Sequence, residues 1–235
     1  MPLLSRASPP PSVALTERQI QLNIAKMTVM WCASSFSSYL LNFMNKYLEG
    51  SIYTNNYAES IAGGLACIIG AKAYSKLGIR LSFALAFSLG LFGGILIFLL
   101  ESERIQAPLF VLEMFDGPIK LRKEAALDYL VPKLIFFSKF GIQFAFISTY
   151  QSSFGNDRIF PPERRATAIG QCQLIARGLT ILAPQVTEMP KPLPIGCFCL
   201  MSSLALLVSF SFDSKAEMDR QLELEAEARL SEKAK

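Results

Sequence analysis

Long apolar runs recur along the chain at residues 28–48, 57–75, 81–100, 134–154, 167–187 and 194–212. Each is close to the roughly 20 residues that an α-helix, rising about 1.5 Å per residue, needs to cross about 30 Å of hydrocarbon. In lipid every backbone N–H and C=O must be paired within its own segment, so helix is the expected form for such runs. A β-barrel would need alternating segments of about ten residues, which the sequence lacks. The pattern therefore predicts an all-α, polytopic membrane protein with six transmembrane helices at 28–212. Residues 1–27 are expected as a cytoplasmic tail and entry segment, and 213–235 as a polar cytoplasmic tail. A long non-cytoplasmic loop at 101–132 carries Leu109, Phe110, Val111 and Phe115 among its charges and has room for an interfacial helix.

Four of the six runs carry a polar stripe. On the first, Ser35, Ser38, Asn42 and Asn45 recur at spacings of three and four, which places them along one side of a helix. The second has Asn56, Glu59 or Ser60, Gly63, Cys67 and Gly70, a small-residue face suited to close helix packing with an acid near one end. The fourth has Lys139, Gln143, Phe146 and Tyr150; the fifth has Gln173, Arg177 and Thr180, with Pro184 a turn further on. The third and sixth have no charged or amide side chain and are expected to face lipid. A polar group facing lipid costs free energy, whereas one facing a wet cavity does not. The stripes thus point to a polar space enclosed by the first, second, fourth and fifth helices. Serines and glycines also serve plain helix contacts, but Lys139 and Arg177 resist that reading. A basic side chain in mid-helix costs roughly 2.5–3.5 kcal/mol on insertion scales unless it finds water or a partner.

Composition agrees with the pattern. Of 235 residues 51% are hydrophobic and 18% charged, against soluble averages of roughly 45–50% and about 25%. The net charge of +4 comes from scattered basic residues instead of a single stripe with interleaved aromatics, so nucleic acid is not an expected partner. Cys32, Cys67, Cys172, Cys197 and Cys199 all fall in apolar runs and imply no disulfide framework. The chain has no histidine, which removes Ser-His and Cys-His pairs and most zinc sites. Cys197 and Cys199, two residues apart on a helix, point to different faces, and neither glycine pair (Gly63-Gly64, Gly93-Gly94) forms a nucleotide loop. No enzymatic activity, metal or cofactor is expected. Lys and Arg near the runs favour both termini in the cytoplasm: Arg18, Lys26, Lys72, Lys76, Arg80, Arg158, Arg164 and Arg165 share one side. The other side has Lys46, Lys191 and the loop with Arg104, Lys120, Arg122 and Lys123.

The stretch FPPERRATAIGQCQLIARGLTILAP, from Phe160 to Pro184, resembles a signature of the organic cation and anion transporters of the major facilitator superfamily. The matching places hold Phe160, Pro161, Pro162, Arg165, Gly170, Cys172, Arg177, Ala183 and Pro184. Upstream, Lys139, Phe140, Gly141 and Tyr150 are similar to the family's Lys-Phe-Gly opening of the tenth helix, and 190–196 to its entry to the twelfth. The resemblance covers about 28–212 and implies the C-terminal six-helix half of that fold, with helices seven, eight, ten and eleven on the substrate cavity. By that resemblance Arg177, Lys139, Gln143, Tyr150, Gln173, Asn42, Ser38 and Glu59 are the candidate substrate-binding residues. Lys76, Gly78, Arg80, Pro161, Arg165 and Gly170 are the conformational and loop positions.

The loop at 71–80 departs from the family's Gly-x-x-x-Asp-Arg-x-Gly-Arg-Arg motif: it keeps Lys76, Gly78 and Arg80 but has Ser75 at the acid and Ile79 at a basic place. Arg158 also stands where the family has an acid. Two functions remain open. One is transport of small organic ions, leaning to anions because Lys139 and Arg177 are both positive, with Glu59 able to neutralise one of them. It would need a second six-helix half, in the same gene product or a separate chain, or self-association. The other is a pseudo-transporter serving as a structural or accessory membrane subunit. The resemblance implies a lipid-bilayer setting, with the plasma membrane as the location.

Overall fold

The computed structural model describes residues 17–48, 51–102, 119–156, 159–213 and 220, with 119–127 described as backbone only. Every regular element among them is helical: α1 (Glu17–Met44), α2 (Ile52–Glu101), α3 (Ile119–Gly155), α4 (Arg165–Thr180), α5 (Ala183–Thr187) and α6 (Leu193–Ser209). Leu109, Phe110, Val111, Phe115, Arg158 and the charged tail at 221–235 lie outside the described residues.

Two helical stretches, Ile52–Glu101 and Asp128–Gly155, are long and apolar enough to cross a membrane, and Leu193–Ser209 is a shorter apolar helix. The expected six separate helices are not what forms. The second and third runs lie within the single 50-residue α2. A loop was expected at 71–80, yet helix continues to a break at one residue, Gly78, whose φ of 75° and ψ of 179° lie where only glycine sits without a Cβ clash. The fifth run is divided into α4 and the five-residue α5 because Pro184, near the start of α5, has no N–H to continue the ladder. At its other end α1 begins at Glu17, well before residue 28. There Ile20 and Met27 are buried while Asn23 donates to the Ile159 carbonyl (3.2 Å) and Lys26 to that of Ser211 (2.6 Å). The loop expected to run to residue 132 ends sooner, since α3 starts at Ile119 and carries Pro132 inside it.

Contacts give the relative directions. Along α3 the partners from the first arm of α2 ascend, with Glu59 at Lys139, Gly70 at Phe144 and Tyr74 at Ser152. Partners from the second arm descend, with Gly93 at Ser138 and Gly90 at Gly141 and Ile142. The two arms therefore run antiparallel, folded back on each other at Gly78. Helix α1 runs against α3 (Trp31 to Ser153, Ser34 to Thr149, Asn42 to Lys139) and alongside α4 (Thr28 to Cys172, Tyr39 to Arg177).

Small residues set the closest approach. The second arm of α2 meets α3 almost backbone to backbone: a Cβ on Gly141 would come within 2.3 Å of the Gly90 nitrogen and 2.5 Å of the Ala86 carbonyl oxygen. One on Gly93 would lie 2.7 Å from the Leu134 carbonyl oxygen, and one on Gly94 would strike the Phe198 ring of α6 at 2.5 Å. The close packing expected of Gly63 and Cys67 is not found: a Cβ on Gly63 has nothing within 4 Å and Cys67 is exposed. Only Gly70 on that face is pressed, by the Phe144 ring. Leu81, Leu85, Phe92, Ile95, Leu200, Leu204 and Leu207 leave large apolar side chains exposed on the second arm and α6. An exposed apolar area of this kind marks contact with another protein or with lipid.

A side chain at Gly141 cannot be absorbed by a rotamer change, because the atoms it meets are backbone. Gly141→Val should destabilise the protein by at least about 1–3 kcal/mol, the usual cost of overpacking. Gly64→Ala, which meets nothing within 4 Å, should be neutral or stabilising. Thermal unfolding of the two variants in the same detergent checks the difference; equal melting temperatures would contradict the contact.

Candidate functional site

The polar stripes of α1, α2 and α3 meet at one level. Lys139, with its side chain 9% exposed, pairs with Glu59 at 2.5 Å, and Glu59 is itself 13% exposed. The ammonium also donates to the Asn42 side-chain oxygen. Behind them Asn45, on the buried side of α1, donates from Nδ2 to Glu59 Oε2 at 2.9 Å and to Asn56 Oδ1 at 2.7 Å. The carboxylate is thus held by two oxygens from two directions, one turned to a cation and one to an amide. Such charge-assisted bonds are the short, strong class. The four residues around Lys139 come from the end of α1 and the residue after it and from the start of α2.

From this cluster an open face extends both ways. Gln143, a turn along α3, points its amide at the exposed Cys67 thiol of α2 (4.0 Å). Further along, Tyr150 stacks between Trp31, Phe146 and Phe154 at centroid distances of 4.7, 5.3 and 6.1 Å. Its ring is anchored from behind, because the Trp31 indole N–H donates to Ser153 at 3.1 Å in the core. In the other direction Asn42 is exposed, Ser38 is half-buried, and Tyr39 accepts a bond from Arg177 of α4 at 2.9 Å. Arg177 also lies 6.0 Å from the centroid of the Tyr39 ring, the outer limit of a cation–π contact. It is exposed, and among the described residues no carboxylate pairs with it. Counting 12 residues from Arg165 at the start of α4 puts Arg177 about 18 Å along the axis, in the last turn of that helix.

The structure thus joins Asn42, Glu59 and Lys139 directly and places Gln143, Tyr150 and Arg177 on the same open surface. Gln173 is half-buried on α4, a turn before Arg177, and makes no contact with the cluster. Of the two expected cavity cations, Lys139 is the one whose charge Glu59 pairs with. Tyr39 was missed by sequence reasoning, although it continues the three-and-four spacing from Ser35 to Asn42; counting only hydroxyl and amide stripes left it out. Asn45 and Asn56 were visible as stripe members, but their role in fixing Glu59 follows only from their meeting in three dimensions.

The loop positions collect at the opposite end. Arg165 donates to the carbonyls of Phe154 (2.9 Å) and Phe160 (3.3 Å), tying the start of α4 to the end of α3. Arg80, next to the Gly78 break, lies over the Phe210 ring at 5.7 Å, and Lys26 over Phe212 at 5.5 Å. Pro161 is half-buried, Lys76 is exposed, and Gly170 is exposed with nothing within 4 Å of a built Cβ. Arg18, Lys26, Lys72, Lys76, Arg80, Arg164 and Arg165 all belong to this end, where Glu17 pairs with Arg164 at 2.5 Å. The other end holds balanced pairs, Lys46 with Glu188 (3.5 Å) and Lys191 with Glu101 (3.4 Å). Glu188 also accepts a bond from the Tyr47 hydroxyl, which together with Lys46 holds its carboxyl below the usual carboxylate range.

Comparison with protein-family models, curated proteins and solved structures finds no match to this chain.

The open face makes a testable statement about solvent. Cys67 lies on it beside Gln143, whereas Cys172 is fully buried against Thr28 and Cys32 is buried in the core. In membranes a charged thiol reagent should modify Cys67 at least about tenfold faster than Cys172, because charged reagents do not partition into hydrocarbon. Mass mapping of the labelled peptides reads the ratio; a Cys67 that resists the reagent would mean that the face is dry.

Proposed function

We propose that the chain is a multi-pass membrane protein in which the two arms of α2, with α1, α3, α4–α5 and α6, form one six-span bundle of the major facilitator type. On this reading the bundle supplies one half of a carrier for small organic anions. Alternating access rocks two such bundles about a site between them. The open face is then the surface that a second bundle covers, whether it lies in the same gene product, in another chain or in a second copy.

Arg177 carries the reading. An exposed guanidinium in the last turn of α4, braced by Tyr39 and facing no carboxylate among the described residues, is expensive in lipid and useful only in a wet cavity. Glu59 cancels Lys139, so the face carries one net positive charge and favours anions. Tyr39, Tyr150 and Phe154 flank it with aromatic surface suited to an apolar substrate body. The basic end, with Arg80 and Arg165, is the cytoplasmic one by the rule for Lys and Arg. The plasma membrane is the location that the family resemblance favours.

A second reading, an accessory subunit that kept the bundle without the transport cycle, is favoured by one observation. Ser75 and Ile79 replace the charged places next to the Gly78 turn, leaving Arg80 on an aromatic ring instead of in a charge latch. The two readings part on uptake. In a reconstituted full assembly Arg177→Ala should reduce organic-anion uptake at least about a hundredfold, while Arg177→Lys retains part of it, since lysine keeps the charge but loses the fork. Uptake that is unchanged in Arg177→Ala would remove this residue from the site. Absence of uptake in the unmutated assembly would leave the accessory role.

A further inference from the structure

Lys139 and Glu59 raise a question that the carrier reading does not answer. A lysine satisfied by its own internal carboxylate is not available to a substrate, yet the pair sits on the rim of the open face and not in the sealed core. Asn42, which holds the ammonium, is exposed, and Gln143 a turn away is half-exposed. Both partners retain some solvent contact, 9% and 13%.

Resting on the carrier reading, we infer that Glu59 is a built-in counter-anion, occupying on Lys139 the position that a substrate carboxylate or sulfonate takes when it binds. At the ammonium one anion replaces another, so Lys139 is never left buried without a partner, which would be the costly state, while the displaced Glu59 carboxylate stays in the chain and turns to the water of the open face. Asn42 keeps its contact with the ammonium throughout, and an ammonium has three donors, enough to hold Asn42 and both anions during the handover. Asn45 makes the displacement cheap on the other side. Its Nδ2 carries two hydrogens, one on Glu59 Oε2 and one on Asn56 Oδ1, so it keeps the bond to Asn56 and gives up only the other when Glu59 swings away.

The alternative exchange, an organic ammonium displacing Lys139 from Glu59, is disfavoured by charge. With Glu59 and Lys139 cancelling, the ionic group left on the face among the described residues is Arg177, which repels a cation and attracts an anion. The elements packed on Glu59 contribute Lys139 from α3 and the neutral Asn42 and Asn45 from α1, and no second carboxylate among the described residues. Glu59 thus sets the threshold an anion must exceed to bind, and so the selectivity of the site against weak or neutral ligands.

Binding of benzoate to the purified full chain in lipid nanodiscs, with benzamide and tetraethylammonium as controls, tests this by calorimetry. Glu59→Gln keeps the shape and removes the competitor, so benzoate should bind at least about tenfold tighter than to the unmutated protein. The neutral pair Glu59→Gln with Lys139→Gln removes the cation as well and should bind benzoate about tenfold more weakly than the unmutated protein. Should Glu59→Gln alone fail to fold, the double variant, which buries no unpaired charge, still decides. Benzoate binding to the double variant that equals that of the unmutated protein overturns the inference. So does unchanged or weaker binding to folded Glu59→Gln, or tighter tetraethylammonium binding to Lys139→Gln alone. If those results come while Arg177→Ala abolishes uptake, the carrier reading stands without the counter-anion. Absence of benzoate binding to every form overturns both.

Discussion

An ammonium group halfway along α3, in the stretch 134–155 that holds no other charge, must find an anion or water, and the folding of α1, α2 and α3 around Lys139 shows which it finds. The Glu59 carboxylate at 2.5 Å and the Asn42 amide draw the end of α1 and the start of α2 onto the same level of α3. The pair does not act alone. Glu59 is fixed by Asn45, and Asn45 by Asn56. Removing one partner of such a pair typically costs about 3–5 kcal/mol because the survivor stays desolvated, whereas an apolar pair of matched volume is often no less stable. A polar cluster that could be replaced without loss of stability is weak evidence for a stabilising role. Its position on the rim of an open face makes a functional role the better account.

Much of this was legible in the amino-acid order. Each apolar run falls on helix, although α1 and α3 begin more than ten residues before theirs, and the stripe Ser38–Asn42–Asn45 near the end of α1 and Lys139–Gln143–Tyr150 on α3 predict which sides meet. Glu59 was recognisable as the acid able to neutralise one base. The sequence could not say which base. That choice depends on which helix the fold places beside the start of α2, where Glu59 meets Lys139 of α3. Nor could the small residues be assigned by composition. Gly63 and Gly93 both sit in apolar runs with a second glycine beside them, but only Gly93 faces a neighbouring backbone, because the second arm of α2 lies between α3 and α6 while the first arm borders the open face. Periodicity gives the face of a helix, and only the three-dimensional arrangement says what stands opposite.

The division between the two arms of α2 separates two kinds of interaction. On the second arm, Ala86, Gly90 and Gly93 let α3 approach to backbone contact and Gly94 admits the Phe198 ring of α6, where association comes from close packing and not from hydrophobic transfer, as expected when the surroundings are themselves apolar. On the first arm the partners are polar, partly exposed and joined through flexible side chains. The same helix therefore carries a rigid seam and an adaptable surface, divided by one glycine with a left-handed φ. Asn23, Lys26, Arg80 and Arg165, each bound to a carbonyl or an aromatic ring of another element, fasten the end at which that glycine lies.

This arrangement bears on how a charged cluster could exchange partners without disturbing the bundle. Lys139 is two residues from Gly141 and one from Ser138, the positions where α3 is pressed against the second arm. Its Cα is thus held in place by backbone contacts on the far side of the helix. Glu59 is held through its carboxylate, by Lys139 and Asn45, while Gly63, a turn further along the first arm, meets open space. The backbone beneath the cation is therefore packed more closely than the backbone beneath the carboxylate, and that asymmetry follows from where the glycines fall in the sequence.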